Sequence, residues 1–143
     1  MTHTDRGQYA KKHSNITIGP GAKNVLEENA RDGKITCASV HGAAKKLGIT
    51  PAEAGIQADL LELRLIRCSL GLFGYDNDTK ILKSKDSIPE ELDTMLDKAS
   101  VDKRISCIDC WTIAKELKLK RIEVSSACEA KGLRIRPCQL GAF

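Results

Sequence analysis

Apolar residues recur along this chain with two periods, and the same succession of periods occurs twice. Cys37, Val40, Ala44 and Leu47 are spaced by three or four residues, which places one apolar stripe on a helix. Cys107, Cys110, Ala114 and Leu117 repeat that stripe. Thr36 and Ser106, immediately before each run, carry hydroxyls suited to capping a helix N-terminus. A shorter helix precedes each stripe, with Val25 and Leu26 in one place and Met95 and Leu96 in the other; Ser87-Ile-Pro-Glu90 and Glu91 mark the start of the later one. A third helix opens at Thr50-Pro51-Ala52-Glu53, which supplies an N-cap, a proline at the first helical position and a glutamate placed to close a capping box. It runs through Leu60 or Leu61. The period then drops to two. Leu133, Arg134, Ile135 and Arg136 alternate apolar and basic like a half-buried strand, and Leu63 to Arg67 do so less cleanly. Gly71-Leu-Phe-Gly74 reads as a turn that docks an aromatic ring, repeated as Gly141-Ala-Phe143. Asp76-Asn77-Asp78 reads as a turn or hinge, Ile81 and Leu82 as a returning strand, and Lys83 to Asp86 as a linker.

The two successions align without a gap at an offset of 70 residues, and 13 of 42 positions between Asp32–Phe73 and Asp102–Phe143 are identical. Identities include Cys37/Cys107, Ala44/Ala114, Glu53/Glu123, Arg64/Arg134, Cys68/Cys138 and Leu70/Leu140. A duplication is an internal control: what the fold needs should recur, and what one site needs need not. The chain of 143 residues divides on this basis into an arm (1–16), a first repeat (17–75), a linker (76–86) and a second repeat (87–143). Each repeat is close to the smallest size at which one core suffices, so the two are expected to pack together. The fold class is mainly α with short β. Five aromatic residues leave a core of Leu, Ile, Val and Ala.

Val40 to Leu61 resembles a helix-turn-helix, and each whole unit resembles a winged helix-turn-helix. The resemblance is carried by Ala44, small enough for two helices to cross, by Gly48 in the turn, by Ile49 and the Thr50-Pro51 helix start, and by Ala54 on the second helix. The second copy keeps Ala114, Leu119 and Val124 but has Lys118 in place of the glycine and Lys120-Arg121 in place of Thr50-Pro51. The resemblance implies DNA binding, with the second helix offering side chains to base edges and the strand region holding phosphates. The first copy would present Pro51, Ala52, Glu53, Gly55, Ile56, Gln57 and Asp59, whose carboxylates oppose phosphate. The second is better supplied: Lys118, Lys120, Arg121, Ser125, Ser126, Lys131, Arg134 and Arg136 are its candidate nucleic-acid-binding residues, with Arg64 at the equivalent strand position of the first.

Charge sharpens this asymmetry. The net charge of +4 is mild, but Lys103–Phe143 holds nine basic and four acidic residues against five and three in Gly33–Tyr75. The first 15 residues are polar and no apolar run approaches a membrane span, so a soluble cytoplasmic protein is expected, with its six cysteines reduced. The arm, with His3, His13, Lys11 and Lys12, is expected to be flexible. Cys37/Cys68 and Cys107/Cys138 recur and so are assigned to the core, while Cys110 replaces Val40 and Cys128 replaces Ala58. Cys107, Cys110, Cys128 and Cys138 would also suit zinc or an iron–sulfur cluster, though their spacing lacks the paired form of a zinc ribbon. Cys107-Ile-Asp-Cys110 at a helix start is a further candidate, as a thiol switch. No phosphate loop or Ser-His-acid arrangement is present, and the reading is non-enzymatic with no cofactor. The sequence therefore reads as a DNA-binding, transcriptional-regulator-like protein. The alternative is a non-enzymatic protein-interaction module docking through Ala52 and Ile56; a cysteine-based metal or redox sensor stands third. A protein partner and a homo-oligomer remain open.

Overall fold

Helices form where the periodicity and the caps coincide. The computed structural model describes residues 9–13, 16–75 and 86–142, with the side chains of 11 and 12 left aside. The expected hinge at Asp76-Asn77-Asp78, the returning strand at Ile81-Leu82, most of the linker, His3 and Phe143 lie outside the described residues. The chain is mainly helical, with short strands. In the first copy α1 is Ala22–Glu28, β1 Lys34–Thr36, α2 Cys37–Leu47, α3 Pro51–Leu60 and β2 Arg64–Ile66; in the second α4 is Glu90–Ala99, β3 Arg104–Ile105, α5 Cys107–Leu117, α6 Arg121–Lys131 and β4 Arg134–Ile135.

The caps act as their chemistry requires. The Thr36 and Ser106 hydroxyls accept the N–H groups of Ser39 and Asp109, each at 3.1 Å, at the starts of α2 and α5. Thr50 and Glu53 close a reciprocal capping box at the start of α3, at 3.1 and 3.0 Å. In the second copy half of that box survives. Glu123 accepts the Lys120 N–H at 2.7 Å, but an ammonium cannot accept in return. At α4 the acids Glu90 and Glu91 lie in the first turn as expected, joined by Asp93, although the N-cap is Pro89 and Ser87 makes no capping bond. The turn between α5 and α6 matches that between α2 and α3 despite its lysine. Gly48 and Lys118 both adopt left-handed conformations, φ 68° and 57°, and Ile49 and Leu119 donate back to Ala44 and Ala114 at 3.0 and 2.8 Å. A left-handed lysine costs about 1 kcal/mol relative to glycine, too little to abolish a turn set by flanking packing.

The strand pairing has no counterpart in the sequence pattern. β2 pairs in parallel with β1 (Lys34↔Arg64, Ile35↔Leu65, Thr36↔Ile66), and β4 in parallel with β3 (Arg104↔Arg134, Ile105↔Ile135). Parallel neighbours need a crossover, and the α2–α3 or α5–α6 helix pair is that crossover. The runs Leu63–Arg67 and Leu133–Arg136 thus each contain a strand, as their alternation predicts, narrowed to Arg64–Ile66 and Arg134–Ile135, while Lys34–Thr36 and Arg104–Ile105 are too short to show a period. Tight turns precede β1 and β3. Asp32 and Gly33 (φ 53° and 74°) and Asp102 and Lys103 (φ 51° and 61°) occupy them, closed by paired backbone bonds Arg31–Lys34 and Val101–Arg104. The Asp-Gly dipeptide is a strong turn signal and could have located β1.

The compact units do not coincide with the repeats. One comprises Met1–Cys68 with Gln139–Phe143, the other Ser69–Cys138. Each copy therefore gives its ending to the unit built on the other copy. In the first unit Leu140 and Ala142 are buried, and Leu140 lies against Gly55 of α3; Leu26, Ile35, Val40, Ala54 and Leu65 supply much of the core. In the second, Leu70 is buried and its carbonyl accepts the Ser125 hydroxyl of α6 at 2.7 Å; Leu92, Leu96, Ile105, Val124 and Ile135 are core residues there. The apolar faces of Cys37/Val40/Ala44 and Cys107/Cys110/Ala114 are buried as their spacing predicts.

Within the N-terminal arm, Tyr9–His13 form a short 3₁₀ helix against α3. Tyr9 is buried. The Glu62 carboxylate accepts the N–H groups of Tyr9 and Ala10 at 2.9 and 2.8 Å, and His13 Nε2 is 2.7 Å from Asp59 Oδ2. Oxygen acceptors at a helix start satisfy its orphan donors, so these contacts hold Tyr9–His13 on α3.

Candidate nucleic-acid interface

The parallel ladders bring basic side chains face to face. In register, neighbouring strands run about 5 Å apart and paired residues point to the same side. Arg104 therefore stands beside Arg134, and Lys34 beside Arg64. The intervening Ile105, Ile135, Ile35 and Leu65 point into the cores and are buried, which turns the cations outward. Arg136 lies two residues beyond Arg134 on the same alternation and is exposed, as are Arg104, Arg134, Lys103 and Lys34; Arg64 is half-buried. Among the described residues Arg104, Arg134 and Arg136 make no ion pair with a carboxylate. Like charges directly opposed across a ladder destabilise it, so this row is unfavourable until an anion meets it.

The other predicted residues separate into those presented to solvent and those already engaged. Lys118 and Lys120 are exposed at the α5–α6 turn, and Ser126 is half-buried on α6. Arg121 is exposed, and its guanidinium lies 3.5 Å from the centroid of Trp111 on α5, a stacking that orients the cation without neutralising it. Ser125 must be withdrawn from the set. It is 1% exposed, and its hydroxyl is bound to the Leu70 carbonyl. Lys131 is engaged as well: its ammonium binds Asp93, and Asp97 at 2.8 Å, and these two hydrogen bonds raise its pKa. A cation held between two carboxylates adds little positive potential. Lys34, Lys103 and Arg104 are the basic residues that sequence reasoning missed, because β1 and β3 are too short to show a pattern.

α3 is closed off by its own unit. Ala52 and Glu53 are exposed at its start, but Ala54, Gly55, Ala58 and Asp59 are buried. The Gln57 side chain accepts the Gly19 N–H at 2.7 Å, and the Tyr9–His13 turn covers the later part of the helix. The two acids expected to repel phosphate are engaged internally: Glu53 in the capping box and Asp59 with His13. α3 accordingly does not present Gly55, Gln57 and Asp59 as a groove-reading face.

The cysteines form a different cluster. Cys110 of α5 and Cys128 of α6 are fully buried and share a side-chain hydrogen bond. That bond, burial and the neighbouring thiols together push the Cys110 pKa far up, because an anion there would be buried beside other sulfurs. Cys128 is shifted down, chiefly by receiving the Cys110 hydrogen bond. No disulfide is formed among the described residues, and no three His, Cys, Asp or Glu side chains among them stand together as a metal-binding group. Cys107, Cys110, Cys128 and Cys138 are thus not gathered into the four-thiolate arrangement. Among the described residues no helix is long and apolar enough to cross a membrane. No family model, no curated protein and no solved structure matches the chain.

Proposed function

We propose that the protein is a DNA-binding, transcriptional-regulator-like protein built on a tandem, winged helix-turn-helix-like repeat, acting mainly through its second repeat. The observation that carries this reading is the outward row of Arg104, Arg134 and Arg136, which no carboxylate of the described residues neutralises. Guanidinium groups in a row suit phosphate oxygens, which they engage through charge and paired hydrogen bonds. Lys118 and Lys120 at the turn, with Arg121 held over Trp111, supply further cations beside the second helix of the pair. The strand takes the phosphate-holding role of a wing, although it is paired in parallel with β3. The decisive experiment is fluorescence anisotropy of a labelled duplex titrated with the full chain. If three phosphates are neutralised, affinity falls roughly 40-fold between about 50 and 200 mM salt, and Arg134→Glu with Arg136→Glu removes binding. Absence of salt-dependent binding rejects the proposal.

A second reading, a non-enzymatic protein-interaction module, is favoured by one observation. Val101 and Ile108 are 70% and 51% exposed in the second unit, where the first copy has Arg31 and Ala38. Under that reading Val101→Ser with Ile108→Ser abolishes partner capture and leaves duplex binding unchanged.

A further inference from the structure

Two buried thiols stand in the second copy where the first has none. Cys110 of α5 and Cys128 of α6 occupy the positions of Val40 and Ala58, and all four residues are 0% exposed. The α2–α3 pair packs the equivalent crossing without sulfur, so the fold does not require it there. Cys37/Cys107 and Cys68/Cys138, by contrast, are common to both copies. The two positions differ together, and the two sulfurs they bring are in contact, Cys110 donating a hydrogen bond to Cys128. Their place in the helix pair matters. Cys110 lies in the first turn of α5 and Cys128 in the last turn of α6. The thiols therefore meet at the end of the pair away from its connecting turn, where nothing covalent joins the two helices.

We infer that Cys110 and Cys128 form a peroxide-reactive dithiol, which hydrogen peroxide converts to a disulfide joining α5 to α6. The inference stands apart from the DNA-binding reading. The shared hydrogen bond lowers the pKa of Cys128 and raises that of Cys110, so Cys128 carries the more nucleophilic sulfur. Its thiolate attacks one peroxide oxygen: an S–O bond forms, the O–O bond breaks, and the departing hydroxide takes the proton that Cys128 gave up, leaving as water. The Cys110 sulfur then attacks the sulfenic acid on Cys128. The S–S bond forms, the S–O bond breaks, and the second hydroxide leaves as water with the Cys110 proton. Two thiols are oxidised and one peroxide is reduced to two waters. Burial selects the oxidant. Hydrogen peroxide is uncharged and scarcely larger than water, so a small local opening at the free end of the helix pair admits it. Oxidised glutathione is charged and bulky and is kept out.

The test treats the fully reduced chain with an equimolar amount of hydrogen peroxide, quenches with catalase, and unfolds it in N-ethylmaleimide. Intact mass and peptide mapping then read the thiols. The expected result is loss of two of the six alkylatable cysteines, a cross-linked Cys110–Cys128 peptide, and full recovery with dithiothreitol. Cys110→Val, which installs the first copy's residue, should leave a sulfenic acid on Cys128 that dimedone captures. Cys128→Ala should give no dimedone adduct on Cys110. Oxidised glutathione should react far more slowly than peroxide. Six thiols still alkylated after peroxide, a disulfide at Cys107–Cys110 or any other pair, or dimedone on Cys110 would overturn the inference. A glutathione adduct on Cys128 formed as fast as the peroxide product would also overturn it, by showing thiols open to any oxidant. So would oxidation seen only in urea that unfolds the chain, which would make the pair core packing alone. None of these readouts involves DNA, so their failure leaves the DNA-binding reading untouched.

Discussion

The Leu140 backbone occupies the space that a side chain on Gly55 would need: a Cβ there would stand 2.8 Å from the Leu140 carbonyl carbon and closer still to its oxygen. Ser125, the residue equivalent to Gly55, meets the equivalent Leu70 by donating a hydrogen bond to its carbonyl. One duplicated contact has thus been solved in two ways, by close approach and by a hydroxyl. Gly55→Ala should destabilise the protein by about 1–3 kcal/mol through overpacking, although alanine is the better helix former. Urea denaturation measures the loss, and faster proteolysis of the last residues would locate it. A variant as stable as wild type would contradict the contact.

Ser125→Ala removes the donor and leaves the Leu70 carbonyl buried without it. A cost of about 1–3 kcal/mol is expected. Because the hydroxyl is committed inside the second unit, DNA affinity at temperatures well below the melt should not change. An affinity loss in the folded variant would return Ser125 to the binding set.

Lys118→Gly should stabilise the chain by about 1 kcal/mol, since glycine accepts φ 57° without strain. Thermal melts at matched salt read this out. The same variant is expected to weaken DNA binding modestly, having lost one exposed cation, so stability and affinity should move in opposite directions.

Lys131→Gln and Arg134→Gln separate engaged from available charge. Lys131 is already bound by Asp93 and Asp97, so its removal should change duplex affinity far less than that of Arg134. Equal losses in anisotropy titrations would show that the ion pairs open on binding.

The buried thiol pair makes stability depend on pH in a definite direction. The hydrogen bond to Cys128, then burial and the neighbouring sulfurs, hold Cys110 protonated in the folded chain, above its ordinary value. An unfolded thiol ionises near pH 8.5. Its contribution is therefore fully present below about pH 8.5 and is lost as pH rises further, because the unfolded state then binds fewer protons than the folded one. The downward shift of Cys128, which receives the Cys110 hydrogen bond, acts oppositely and adds stability as pH rises toward the ordinary thiol range. Urea midpoints should fall as pH rises above about 9, once both unfolded thiols ionise while Cys110 keeps its proton in the folded chain, and Cys110→Val/Cys128→Ala, which installs the first copy's Val40 and Ala58, should flatten that fall.

Local signals were legible wherever a single residue type dictates backbone behaviour. Thr36, Ser106 and the Thr50–Glu53 pair cap the helices their chemistry implies, and Gly48 takes the left-handed turn. Leu63–Arg67 and Leu133–Arg136 alternate, and strands form within them at Arg64–Ile66 and Arg134–Ile135. β1 and β3 escaped because two or three residues cannot display a period, and with them went Lys34 and Arg104. Ser125 and Lys131 belong to the site by composition alone; burial and two aspartates withdraw them.

The sequence by itself determined that there are two copies, which helices they contain, how those helices begin and end, and which apolar faces they bury. These follow from bonds and contacts a few residues apart, whose partners are fixed by the order of the chain. Only the tertiary structure decided that the strands pair in parallel, that each copy's ending completes the unit built on the other, and that Tyr9–His13 settle on α3. Those contacts join residues dozens of positions apart, and their strength depends on burial and mutual geometry that no local spacing specifies. The cation pairs belong to this second class: each charge is plain in the sequence, and their opposition exists only once the ladder has formed.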